Sequence, residues 1–168
     1  MRNLLVPVDL SEMSGPVVER AACIAQSFMS KVWLLHVIPS TNESVPFNLD
    51  RDVLRRQIAG QLRLQREQLH ALADRLRRER IDVTARFLSG TVSTTILAEA
   101  RRIAAELIIM GSHGHGNVYH VLFGGVGQKV MRKAACPVML VPPHPTKPHW
   151  HWLQDEPPER HQTPLRRR

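Results

Sequence analysis

Five short apolar runs, separated by four stretches of helical periodicity, govern what this chain can fold into. The runs are Asn3 to Val8 (NLLVPV), Val32 to Ile38 (VWLLHVI), Ile81 to Leu88, Leu107 to Met110 (LIIM) and Pro137 to Val141 (PVMLV). Most are apolar without alternation, which suits a strand covered on both faces, as in a parallel sheet. Between the first two runs, Val17, Val18, Ala21, Ala22, Ile24, Ala25 and Phe28 recur at helical spacing, with Ser11 or Ser14 placed to cap and Pro16 suited to a first turn. Asp50 to Arg80 predicts one long helix whose apolar face is Leu54, Ile58, Leu62, Leu69, Leu72 and Leu76. Ser89-Gly90 reads as a turn, Thr91 to Ala105 as a third helix and about Val126 to Ala135 as a fourth. Strictly alternating strands and helices predict a single α/β domain of the doubly wound, Rossmann-like kind, with helices on both faces of a five-stranded parallel sheet. Ligands of such sheets sit beyond the carboxyl ends of the strands. Asp9, Val37 and Gly111 all fall at such ends.

With 168 residues the chain has enough length for one domain with a sizeable core. Residues 1–142 carry the pattern; 143–168 are rich in proline, histidine and charge without periodicity and are expected to form a disordered tail. The formal charge of +8 suits an acidic partner or simply a solvated basic surface. The arginines of the long helix are spread around it and aromatic content is 5%, so no specific nucleic-acid site is expected. No apolar run reaches the roughly 18 residues of a membrane span, and the chain does not open on a charged segment followed by a long apolar one. A cytoplasmic protein with no membrane partner is expected. Cys23 and Cys136 belong to no CxxC pair and read as two buried thiols.

Chemistry concentrates between Met110 and Gln128 (MGSHGHGNVYHVLFGGVGQ). Gly111, Gly114 and Gly116 allow tight turns and close backbone approach. Gly124, Gly125 and Gly127 open a helix, where bare N–H groups and the helix dipole favour an anion. The GxxxxGK[ST] loop is absent, and Gly114-x-Gly116 lacks the third glycine of a dinucleotide fingerprint. His113, His115 and His120 have no thiol or carboxylate nearby in sequence to complete a zinc set, so no metal site is expected. Ser11 and Ser112 have no base at recognisable spacing, and no catalytic residue is assigned. His36, inside an apolar strand, reads as a satisfied core or strand-end histidine.

These residues resemble the universal stress protein family over about Arg2 to Pro142. The resemblance rests on LLVPVDLSE, LLHVI, AELIIMGSHGHG and GGVGQKVMRKAACPVMLVP. The family's nucleotide motif is two glycines separated by two residues, nine more residues, then a glycine and a serine or threonine. Gly111, Gly114 and Gly124 keep that spacing, and Gly125 stands where the hydroxyl residue belongs. The resemblance implies a strand order of 3-2-1-4-5, and a homodimer through the last strand, Val138 to Val141. It implies ATP or another adenine nucleotide as ligand, with magnesium arriving on the phosphates if at all. Pro7, Val8 and Asp9 would line the adenine and ribose side, and Val37 would meet the adenine through its backbone. Met110, Gly111, Ser112, His113, Gly114 and His115 would wrap the ribose and α-phosphate. Gly124, Gly125, Val126 and Gly127 would hold the outer phosphates. The missing hydroxyl removes a bond worth about 0.5–1.5 kcal/mol, somewhat more to a charged acceptor. Modest affinity and a reduced preference for the triphosphate follow. The leading expectation is a non-catalytic nucleotide-binding stress protein. The alternatives are a nucleotide-free dimeric interaction module of the same fold, and a slow ATP hydrolase.

Overall fold

The computed structural model describes residues 1–40, 51–112 and 125–142, with the backbone alone for 51–54. The elements are β1 (Asn3–Pro7), α1 (Ser14–Phe28), β2 (Lys31–Pro39), α2 (Arg51–Arg78), β3 (Val83–Gly90), α3 (Val92–Arg102), β4 (Leu107–Gly111), α4 (Gly125–Lys133) and β5 (Val138–Val141). The sheet order is β3-β2-β1-β4-β5 and every pairing is parallel.

Each strand's lack of alternation is explained by two cores, one on each face of the sheet. Leu4 and Val6 of β1, Val32 and Leu34 of β2 and Ile109 of β4 pack with Val17, Val18 and Ala21 of α1 and Leu69 and Leu76 of α2. Leu5, Leu35, Val37, Ile108 and Met110 point the other way, to Ile96, Leu97 and Ala100 of α3 and Val130 of α4. Leu4, Leu5 and Val6 are wholly buried. Truncating any of these large side chains to alanine removes apolar burial and leaves a cavity, at a cost of about 2–5 kcal/mol.

Local details differ from the sequence expectations in four places. Ser14 lies within the first turn of α1, and neither serine caps the helix: the N-cap is Met13, without a side-chain bond. The expected face of α2 is core only from Leu69 onward; Ile58 is 46% exposed and Leu62 half-buried. A helix of 28 residues is about 42 Å long at 1.5 Å per residue, longer than the roughly 30 Å spanned by the 9 residues of β2, so the sheet cannot cover every turn of its apolar face. The third strand starts at Val83, because Ile81 closes α2 through its N–H to the Leu76 carbonyl. That strand runs through the expected turn to Gly90, which has φ +153° and whose added Cβ would lie 2.6 Å from Thr95 Oγ1. Finally, Cys23 is exposed and Cys136 half-buried. Ser14, Val17, Val18, Ala21, Ala22 and Ala25 form the buried face of α1, and Cys23 falls off it.

Candidate functional site

The site is a parting in the sheet. The β1–β4 pairing runs over Leu4↔Leu107 and Leu5↔Ile108, whereas β1–β2 continues to Pro7↔Leu35 and β4–β5 to Gly111↔Val141. Above Leu5 and Ile108, β1 therefore leans to β2 and β4 to β5. This is also where the chain's direction of winding reverses, since β2 and β3 lie on one side of β1 and β4 and β5 on the other. Crevices of open α/β sheets form at such points.

On the β1 side, Pro7 and Val8 are buried and Asp9 half-buried. Asp9 Oδ1 accepts the Ser11 N–H at 3.0 Å and the Ser11 hydroxyl at 2.6 Å, with the Ser14 hydroxyl farther off at 3.5 Å. Ser11 Oγ in turn accepts the Met13 N–H at 3.3 Å. Between them Leu10 has φ +63°. A leucine in the left-handed region costs about 1–2 kcal/mol, and the Asp9–Ser11 bonds hold it there. The turn thus fixes a carboxylate at the lip of the crevice.

On the β2 side, Val37 is level with Asp9, two residues past the Pro7↔Leu35 pair. The Val32 N–H bonds the Asp82 carbonyl and the Ser40 N–H the Gly90 carbonyl, so even-numbered residues of this strand address β3. The Leu35 carbonyl accepts the Val8 N–H at 2.8 Å, so odd-numbered residues address β1. The N–H and C=O of Val37 consequently face the place that β1 has just left. The same alternation explains why Pro39 is tolerated inside the sheet: its missing N–H would point to that empty side.

On the β4 side, Met110 is buried beneath the crevice, Gly111 ends the strand, and the Ser112 N–H is committed to the Val141 carbonyl at 2.9 Å. The Ser112 amide is therefore already satisfied by the neighbouring strand. At the start of α4, Gly125 and Val126 are exposed and Gly127 half-buried. No described atom lies within 4 Å of a Cβ added at Gly125 or Gly127. The structure thus brings Pro7, Val8, Asp9, Val37, Met110, Gly111 and Ser112 to one edge. His113, Gly114, His115 and Gly124 lie outside the described residues, as does His120. Among the described residues, no three His, Cys, Asp or Glu side chains come together to hold a metal ion.

Two other features were not singled out from sequence. Glu99 is 4% exposed and accepts from Arg102 Nε and Nη2, both at 2.8 Å, and from Arg86 Nε at 3.0 Å. The bond from Arg102 holds its carboxyl below the ordinary value, against burial, and the charge of Arg86 adds to the effect. Its spacing from Ile96 and Ile103 places it on the buried face of α3, and that was the available signal. Separately, a shallow depression of about 110 Å³ lies at the opposite edge, lined by Leu97, Ala100, Arg101, Ala104, Ala105, Lys133, Ala135 and Cys136. Burial pushes the Cys136 thiol up, away from the reactive thiolate. The residues with binding chemistry are at the carboxyl edge instead.

The universal stress protein family model matches residues 1–142, and the chain belongs to that family. A curated relative, universal stress protein MJ0531 of Methanocaldococcus jannaschii, is 26% identical over 145 residues, covering 83% of this chain and 81% of the relative. Among solved structures, the hypothetical protein MJ0577 superposes with a TM-score of 0.69 at 23% identity, covering 84% of this chain and 95% of that one. A universal stress protein in complex with cAMP gives 0.62 at 21% identity, covering 85% and 98%. The Archaeoglobus fulgidus protein in complex with dAMP gives 0.59 at 22% identity, covering 83% and 97%. No helix among the described residues is long and apolar enough to cross a membrane.

Proposed function

We propose that the chain binds an adenine nucleotide at the parting between β1 and β4 and acts as a nucleotide-responsive stress protein rather than as a catalyst. The observation that carries this reading is the backbone of Val37, whose donor and acceptor face the space above the end of β1, level with the Asp9 carboxylate. A paired donor and acceptor at one strand position suits the edge of a purine, and a fixed carboxylate beside it suits a ribose hydroxyl or an exocyclic amine. The exposed start of α4 supplies N–H groups and a positive dipole end for phosphate. Family membership supports the reading, as do related structures that hold cAMP and dAMP.

The phosphate half is the weaker half. Gly125 brings no hydroxyl and the Ser112 amide is already used, so a monophosphate or cyclic monophosphate competes well with ATP here. Any magnesium would come with the phosphates. In this reading residues 1–142 are the folded unit and 143–168 an appendage. The exposed edge of β5 pairs with a second copy, and the protein works in the cytoplasm. Mass spectrometry of ligand released from gently purified protein tests the nucleotide claim. Adenine nucleotide in the supernatant after denaturation is the expected result. A ligand-free protein that also shows no binding of AMP, ADP or ATP would leave the interaction-module reading in its place.

A further inference from the structure

Val37 can offer its N–H to a ligand only if β1 does not take it first. After the Val8 N–H has bonded the Leu35 carbonyl, the next rung of a parallel ladder is the Val37 N–H to the Val8 carbonyl. That rung is not among the backbone bonds of the described residues. The Val8 carbonyl is met instead by the ring of His36, whose Nδ1 lies 2.9 Å away. A carbonyl oxygen can only accept, so Nδ1 carries the proton, and in the neutral ring Nε2 is left as a bare acceptor.

The ring's surroundings show that this single bond is its polar function. His36 is 5% exposed and sits 5.4 Å from the Phe87 ring, centroid to centroid. The Arg66 guanidinium of α2 also lies against Phe87, 5.0 Å from its centroid. Nε2 is buried and has no hydrogen-bond partner among the described residues. Leaving a buried nitrogen unsatisfied is unfavourable, and a phenylalanine would pack against Phe87 without that penalty. The position is therefore explained by what Nδ1 does.

We infer that His36 is a positioning residue of the nucleotide site: its Nδ1–H replaces the Val37 amide as donor to the last β1 carbonyl and so keeps that amide open for the ligand. This rests on the proposed nucleotide reading for its purpose, but not for its geometry, so the two are separable by experiment. In wild-type protein without nucleotide, the Val37 amide should exchange with solvent deuterium at least about tenfold faster than the Leu35 amide, and ring ¹⁵N shifts should report the Nδ1–H tautomer. His36→Phe keeps the packing and loses the donor; the strand can then close its ladder, so Val37 exchange slows and AMP binding weakens about tenfold or more. His36→Asn restores a donor at the δ position and should bring AMP affinity back to within about threefold of wild type. A Val37 amide as protected as that of Leu35, or an Nε2–H tautomer, overturns the inference even if neither variant folds. Unchanged AMP affinity in a folded His36→Phe overturns it too. Absence of nucleotide binding by wild type, with the exchange pattern and tautomer as stated, removes the nucleotide reading and leaves the strand geometry standing.

Discussion

Asp9 is asked to do two things, and substitution can separate them. Its Oδ1 gathers the Ser11 N–H and hydroxyl, holding a turn in which Leu10 has φ +63°. In the proposed nucleotide site its charge also serves the ligand. Asp9→Ala removes both close bonds. A hydrogen bond to a charged group contributes about 1.5–3 kcal/mol; both bonds here go to one serine at a half-exposed site, so the joint loss is about 2 kcal/mol. For a domain of this size 1 kcal/mol shifts the Tm by about 2–4 °C, so the midpoint should fall by about 4–8 °C. Asp9→Asn keeps an oxygen to accept the Ser11 N–H and loses only the charge, so it should cost less than half as much. Nucleotide binding should behave differently. Both variants lose the carboxylate, and both should weaken AMP by about ten- to a hundredfold, equivalent to about 1.4–2.7 kcal/mol. The assay is differential scanning fluorimetry without ligand alongside calorimetric titration with AMP. An Asn variant as unstable as the Ala variant would refute the turn argument. A stable Asn variant with wild-type affinity would remove Asp9 from the ligand site.

Three further outcomes are expected. Gly125→Ser adds a hydroxyl at an exposed first position of α4 where nothing described lies within 4 Å of the new Cβ, so ATP should tighten by up to about tenfold and AMP by less, as read by the same titration. Glu99 has a folded pKa below its ordinary 4.5, so its stabilisation is complete above that pH and is lost as pH falls through the lower folded value; Glu99→Gln should lower the Tm by about 3–6 °C at pH 7, and the wild-type and variant curves should converge in acid, parallel curves at all pH being the contrary result. If β5 pairs across a two-fold axis, Met139→Lys should shift the sedimentation coefficient toward the monomer without unfolding the chain, and a wild type that is monomeric at high concentration would end that proposal.

The sheet was legible because burial on both faces leaves a direct trace in sequence. LLV, WLLHV and LIIM show no alternating polar face, and strands covered on both faces, as in a parallel sheet with flanking helices, read this way. The winding and the glycine clusters then pointed to the carboxyl edge. What the sequence did not disclose depends on where neighbouring elements stop. Periodicity marks Ile58 and Leu69 as one face of α2, but not that Leu69 is buried while Ile58 stays 46% exposed. The serines near α1 had the right chemistry for a cap, yet the Asp9 carboxylate, two residues away, draws Ser11 into a different local turn. From sequence, His36 reads as a satisfied core or strand-end histidine. Its ring does find the Val8 carbonyl, but the reason emerges only from the register, because β1 ends two residues before Val37.

The central claim is that an adenine nucleotide occupies the parting between β1 and β4, and amide chemical-shift mapping during titration tests it most directly. Titrating ¹⁵N-labelled protein with AMP should move the amides of Asp9, Val37, Gly111, Gly125 and Gly127 along saturable curves with one shared affinity, while Ala104, Ala105 and Cys136 at the opposite edge stay in place. No movement with AMP, ADP or ATP in a folded protein, or movement centred on Ala104, Ala105 and Cys136, would contradict it.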